Sequence, residues 1–234
     1  MINIKVLASS SAGNCYLLND GTTQVMLEAG IPLRQMQKAC GFTVTKSVGC
    51  LITHEHKDHS KAVDDLISLG IDCYMSEGTA NAINVSDYKK VKAGQQFNAG
   101  SWKIVAFNTQ HDAAEPLGYL LLSQSTNEKL VFITDSYYVK YTFPSLDYIM
   151  IECNYADDIL DKNVEDGVIH PSMAKRVRRS HMSLESCKDL LIANDLSKVK
   201  EIWLCHLSDA NSDAERFKRE IEEISGRPTY IAGA

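Results

Sequence analysis

The stretch Thr53-His54-Glu55-His56-Lys57-Asp58-His59 places four potential metal ligands within six residues. Side chains two apart in an extended segment point the same way, so His54 and His56 can converge on one ion. Asp58 and His59 follow as the chain bends, and they can reach a second ion close by. Imidazole suits zinc, and a carboxylate beside it suits a hard, water-carrying site. The alternative is a polar turn with surface histidines, which leaves both the spacing and the flanking elements without a reason.

Those flanks must hold the motif. Val48 to Ile52 is a short apolar run that reads as a buried strand, and Ser60 to Leu69 has helical spacing. Upstream, Ile2 to Ala8 reads as a strand. Ser9 to Asn14 is a loop of small residues that either brings backbone N–H groups close to a ligand or makes a plain tight turn. Cys15 to Leu18 and Thr23 to Leu27 are strands around the turn signal Asn19-Asp20-Gly21. Pro32 opens a helix running to Cys40. Downstream come a strand at Ile71 to Met75, a helix at Glu77 to Ile83 and a hairpin at Gln96 to Phe107 that turns at Asn98-Ala99-Gly100. Leu117 to Leu122, Leu130 to Thr134, Tyr148 to Ile151 and Lys200 to Cys205 are apolar strands. Ser212 with Glu215 forms a capping box for the closing helix.

His111, Asp135, Glu152 and His206 each lie just past the end of an apolar strand. Strand ends at one edge of a scaffold can converge, and functional residues on loops over a rigid frame suit catalysis. Of the seven histidines, only His170 falls outside the central motif and the loops next to a strand or helix end.

Composition sets the class. The chain has 234 residues, 44% hydrophobic and 23% charged, which is ordinary for a soluble globular protein and enough for one large domain spanning 1–234. No apolar run reaches membrane-spanning length, so no membrane association is expected. Met1 to Leu7 lacks a basic region followed by a long apolar one and reads as a first strand, not a signal peptide. The seven cysteines show no paired spacing, and several sit in apolar runs, which suits reduced core thiols in a cytoplasmic protein. A net charge of −6 lowers the expectation of binding long nucleic acids, which favour a basic face.

With the H-x-H-x-D-H signature at His54 to His59, the chain resembles the metallo-β-lactamase superfamily. The resemblance implies an α/β fold, an αββα sandwich of two mixed sheets flanked by helices with metals at one edge. Within that superfamily it is similar to the WalJ/YycJ-type hydrolases and the phage anti-Pycsar phosphodiesterases. Ser9 to Asn14 is similar to their S-G-S-x-G-N segment, with Ser10 where glycine is usual. His111 to Tyr119 matches H-D-A-x-x-P-x-G-Y. Thr134-Asp135 matches a bridging-aspartate motif, with Tyr137 where glycine is common. Glu152-Cys153-Asn154 is similar to E-S-N, with Tyr155 replacing a histidine. Ser180 to Ser183 resembles G-H-L-S, and His206 to Asn211 resembles H-L-S-x-x-N. Glu28 stands where aspartate is usual in D-x-G.

Carried over, the resemblance implies two divalent metal ions, zinc by histidine count or manganese by its carboxylates. His54, His56 and His111 would hold one, Asp58, His59 and His206 the other, and Asp135 would bridge them. Two metals can make a nucleophile at neutral pH and clamp a displacement at phosphorus. His181 is then the candidate general acid, with Glu152 orienting it, or else a surface residue at a helix end. Ser11, Asn14 and Ser208 join His181 as candidate substrate contacts. Lys175 to Arg179 is either a phosphate contact or a solvated helix face. The implied activity is hydrolysis of small nucleotides, 3′,5′-cyclic mononucleotides to 5′-monophosphates, by a homodimer in a host cytoplasm, as evasion of a signalling defence. The alternative is a metal-dependent nuclease with a nucleic acid partner; β-lactam or thioester hydrolysis and a non-enzymatic metal-binding protein rank lower.

Overall fold

A computed structural model describes residues 1–233, which group into two compact units. The first comprises Met1–Asn108, Ala113–Lys129 and Gly233; the second comprises Thr109–Asp112 and Leu130–Ala232.

In the first unit, β1 (Asn3–Ser10), β2 (Gly13–Asn19), β3 (Gln24–Leu27), β4 (Ser47–Leu51), β5 (Cys73–Met75) and β6 (Lys89–Lys90) form a sheet in that order. Pairing is antiparallel from β1 to β3 and parallel from β3 onward. Four short helices accompany it: α1 (Leu33–Ala39), α2 (Lys57–Ser60), α3 (Val63–Ser68) and α4 (Glu77–Ala82). Met26, Cys50, Ile52, Val63 and Leu66 bury completely in one apolar cluster. Each large aliphatic among them contributes about 1.5–3 kcal/mol by leaving water. β7 (Gln96–Ala99), β8 (Trp102–Asn108) and β9 (Leu117–Ser123) form an antiparallel meander.

Two local readings change. The expected small-residue loop at Ser9 to Asn14 shrinks to a turn at Ser11-Ala12, because Ser9 pairs with Asn14 and Ser10 with Gly13 across the hairpin. The helix expected over Ser60 to Leu69 is two pieces, α2 and α3. Ala62 leaves the helical ladder to donate its N–H to the Ala29 carbonyl at 2.8 Å, which ties the end of the metal motif to the Glu28-Ala29-Gly30 turn.

In the second unit, β10 (Lys129–Ile133), β11 (Tyr148–Glu152), β12 (Glu201–Cys205) and β13 (Thr229–Ile231) pair in parallel in that order. The apolar runs of β10 and β11 are continuous, as strands covered on both faces require. The helices are α5 (Asp157–Glu165), α6 (Pro171–Ser180), α7 (Leu184–Ile192) and α8 (Ala214–Ser225). Register aligns Ile133, Ile151 and Leu204 across three strands, so the carboxyl ends of β10, β11 and β12 share one edge. Asp135 and His206 lie just past two of those ends, and Glu152 is the last residue of β11. The closing helix is capped by Asp213, which accepts the Arg216 N–H at 3.0 Å, and not by Ser212. Ser212 has already spent its hydroxyl on the Ser208 carbonyl at 2.7 Å.

Candidate metal centre

The first unit holds His54, His56, Asp58 and His59 at the β4–α2 junction. His54 Nε2 and His56 Nδ1 face each other at 3.1 Å. Two ring nitrogens that close suit a shared cation, since neutral imidazoles present lone pairs there. Thr53 Oγ1 lies 2.9 Å from His54 Nδ1, so a hydroxyl fixes the far side of that ring. His59 Nε2 sits 3.2 Å from Asp58 Oδ2. Its Nδ1 is 3.5 Å from Glu28 Oε1, and both side chains are fully buried. Burial pushes the Glu28 carboxyl up, against the pull of His59 and two bonds from Thr53.

Backbone geometry locks this turn. Glu28 adopts a left-handed φ of 64°. Ala29 donates to the His59 carbonyl at 2.8 Å and Gly30 to the Asn14 carbonyl at 2.9 Å. A Cβ on Gly30 would lie 1.7 Å from the Asp58 carbonyl oxygen, so only glycine fits beneath the motif.

The second unit holds His111, Asp135, Glu152, His181 and His206. His111 Nδ1 is 2.7 Å from the Ser180 carbonyl, which assigns the proton to Nδ1 and leaves Nε2 as a donor atom 3.5 Å from Asp135 Oδ2. Burial lowers the His111 pKa against the attraction of Asp135, keeping the ring neutral as a metal ligand must be. Asp135 and His206 both hold left-handed backbone, φ 46° and 53°. Strain of this kind gathers at functional sites.

Glu152 is the hub. Its carboxylate is fully buried and faces His181 Nδ1 at 2.6 Å and His206 Nδ1 at 3.1 Å through Oε1. Oε2 accepts the backbone N–H groups of Ser136 and Met182, each at 3.0 Å. Burial pulls the His181 pKa down, but Glu152 and Asp135 outweigh it and hold it above the ordinary value. Burial likewise pushes Glu152 up, and His181 draws it below the usual carboxylate range. The two shifts run in opposite directions, each partner favouring the charged form of the other. The His181 side chain remains 20% exposed, so its proton is reachable.

The remaining candidates divide. Ser11 is exposed at the hairpin tip. Asn14 does not suit a substrate contact: it is fully buried, and its amide lies 3.1 Å from the Ser10 carbonyl and 3.3 Å from His59 Nε2. It braces the motif instead. Ser208 accepts the Asn211 backbone and side-chain N–H groups at 3.3 and 3.2 Å, holding the turn after His206. Sequence reasoning passed over Thr53 and Ser136, whose contacts fix His54 and Glu152. Their position directly beside a ligand-bearing residue was the available signal.

Residues 23–206 match a family profile described as a β-lactamase superfamily domain. The chain belongs to the metallo-β-lactamase superfamily. A Bacillus anthracis protein named exodeoxyribonuclease YycJ is 26% identical over 240 residues, covering 95% of this chain and 89% of the relative. Exodeoxyribonuclease WalJ of Streptococcus pneumoniae serotype 2 is 29% identical over 229 residues, covering 90% and 83%. The metallo-β-lactamase fold protein YhfI from Bacillus subtilis superimposes with a TM-score of 0.76 at 16% identity, over 100% of this chain and 98% of that one. The fold is thus the superfamily's α/β arrangement, two mixed sheets flanked by helices, and the protein is a metal-dependent hydrolase. All seven cysteines are buried, and no helix among the described residues is long and apolar enough to cross a membrane.

Proposed function

We propose that this superfamily member is a two-metal phosphodiesterase acting on small nucleotides, foremost 3′,5′-cyclic mononucleotides, which it opens to 5′-monophosphates. By residue type the proposed donors suit two ions: His54, His56 and His111 for one, Asp58, His59 and His206 for the other, with Asp135 shared. Histidine count favours zinc, while the carboxylates also suit manganese. When bound, two such ions supply a water nucleophilic near neutral pH and positive charge for the phosphoryl oxygens.

The observation that carries the reading is the His181–Glu152 pair. Breaking a phosphodiester expels an alkoxide, a poor leaving group that needs a proton. Glu152, 2.6 Å away, favours the protonated form of His181 and fixes the ring through Nδ1, so that a proton on Nε2 can be given to the departing 3′ oxygen. The same carboxylate orients His206, so proton donor and metal ligand share one buried anchor. Thioester cleavage expels a thiolate, a better leaving group than an alkoxide, and has less use for this pair.

A second reading, a nuclease acting on strand ends, is favoured by the names of the curated relatives and by basic residues on α6. The two separate in one experiment. Purified protein with zinc or manganese is given cyclic mononucleotides and end-labelled single-stranded DNA side by side, with a chelator control. Chelator-sensitive conversion of the cyclic nucleotides supports the first reading and a role against a host signalling defence. Shortened DNA with cyclic nucleotides untouched moves the assignment to the nuclease. The homodimer is part of the proposal, and light scattering on the eluting protein reads it directly.

A further inference from the structure

Against the His111–His181 side of the second unit lies a cavity of about 420 Å³ lined by Asp112, Ser172, Lys175, Arg176, Arg179 and Ser180. The geometry points to a binding site for a second phosphate, one that a linear oligonucleotide carries and a cyclic mononucleotide lacks.

Lys175, Arg176 and Arg179 occupy neighbouring positions on α6, and all three are exposed. Arg178 faces elsewhere and is spent on Asp157 at 2.8 Å and Asp161 at 2.7 Å. It is the solvated ion-pair face expected of a basic helix. Its three neighbours are not. Arg176 pairs with Asp112 at 2.8 Å. Lys175 and Arg179 have no carboxylate partner among the described residues. Three cations thus face one carboxylate, in a chain whose net charge is −6. Such a pocket draws anions locally even though the whole protein repels them. Arginine in particular matches phosphate oxygens with paired N–H donors. The volume falls within the roughly 300–1,000 Å³ of small-ligand sites.

Position ties the cavity to the chemistry. Asp112 follows His111 directly, and Ser180 precedes His181. The Ser180 carbonyl is the group that orients His111, at 2.7 Å. A phosphate in the cavity would therefore be a near neighbour of one being cleaved. This inference rests on the phosphodiesterase reading and extends its substrate class to short strands.

The test is equilibrium binding of a 5′-phosphorylated, 3′-labelled pentathymidylate by fluorescence anisotropy across a salt series. Zinc-loaded protein carrying His181→Ala slows cleavage, and Lys175→Gln/Arg179→Gln is added to it. Both changed residues are exposed, and matching thermal melts verify the fold. The expected result is at least tenfold weaker binding in the added variant. The slope of log affinity against log salt should shrink by about 1. Equal affinity, an equal slope or no binding by either protein overturns the site. Turnover of cyclic mononucleotides by the wild-type protein is measured alongside. Its failure would strike the proposed function while leaving the binding comparison to judge the cavity.

Discussion

Replacing His181 by alanine tests the proton-donor assignment through the leaving group. General acid catalysis contributes roughly 10²–10⁴-fold, which at about 1.36 kcal/mol per decade is some 3–5 kcal/mol of barrier. The structure puts the expectation within that range. A carboxylate 2.6 Å away raises the His181 pKa and fixes the ring, so little is lost to the wrong orientation. The alkoxide of a cyclic nucleotide needs this proton, whereas an acidic nitrophenolate does not. Steady-state kinetics of His181→Ala on a cyclic mononucleotide and on bis(p-nitrophenyl) phosphate should therefore diverge. The expected outcome is a kcat loss of ~10²–10⁴ on the first and under about tenfold on the second. Metal content stays at the wild-type value, because His181 is not among the proposed ligands. Equal losses on both substrates would refute the reasoning, since a damaged metal site or a misplaced phosphate does not discriminate between leaving groups.

Other perturbations have equally definite outcomes. Gly30→Ala drives a Cβ into the Asp58 carbonyl, so a destabilisation at or above the ~1–3 kcal/mol usual for overpacking is expected, together with metal loss, in urea melts and elemental analysis. Glu28→Gln removes the carboxylate 3.5 Å from His59 and should weaken metal binding about 10–100-fold in a competitive chelator titration. Asp20 accepts Thr22 and Thr23 N–H groups, each at 2.9 Å, and the Ser101 and Ser123 hydroxyls at 2.6 and 2.7 Å. Burial alone would raise its pKa, but these bonds lower it from 3.8 to about 2. A depressed carboxyl stabilises fully above its unfolded value and loses that as pH falls towards 2, a contribution of about 2 kcal/mol. Urea midpoints for wild type and Asp20→Asn should therefore converge between pH 4 and about 2, and a constant gap would contradict the linkage.

Legibility in the sequence followed burial. β4, β10 and β11 announce themselves because strands covered on both faces must be largely apolar, and Asp135, Glu152 and His206 each stand one step past an apolar run in the sequence. The helices α5 and α6 had no comparable signal. α5 and α6 bury only Leu160, Ala174 and Ser180, too thin a stripe for a clear helical period. Arg178 links the two through Asp157 and Asp161, contacts between residues 17 and 21 apart that no local pattern records. The Ser212 capping box failed for a similar reason, since a hydroxyl's alternative partner four residues back is invisible until the turn is built.

The role of Glu152 shows where sequence reasoning stops and packing begins. Its identity and its place past a strand end were legible, but not its four partners. Two of them, His181 and His206, come from separate loops, and two are backbone N–H groups. A buried carboxylate with fewer partners would take up a proton or be expelled to solvent. With all four its pKa falls below the usual carboxylate value, and its charge raises that of His181 while fixing the His206 ring. One fully satisfied anion thus sets the protonation of the candidate acid and the orientation of a candidate ligand together. Replacing it with glutamine should therefore cost activity and metal affinity at once, whereas His181→Ala costs activity alone. If Glu152→Gln left metal affinity untouched, the shared anchor would be wrong, and His206 would have to be held by Asn154, whose amide lies 3.3 Å from its Nδ1.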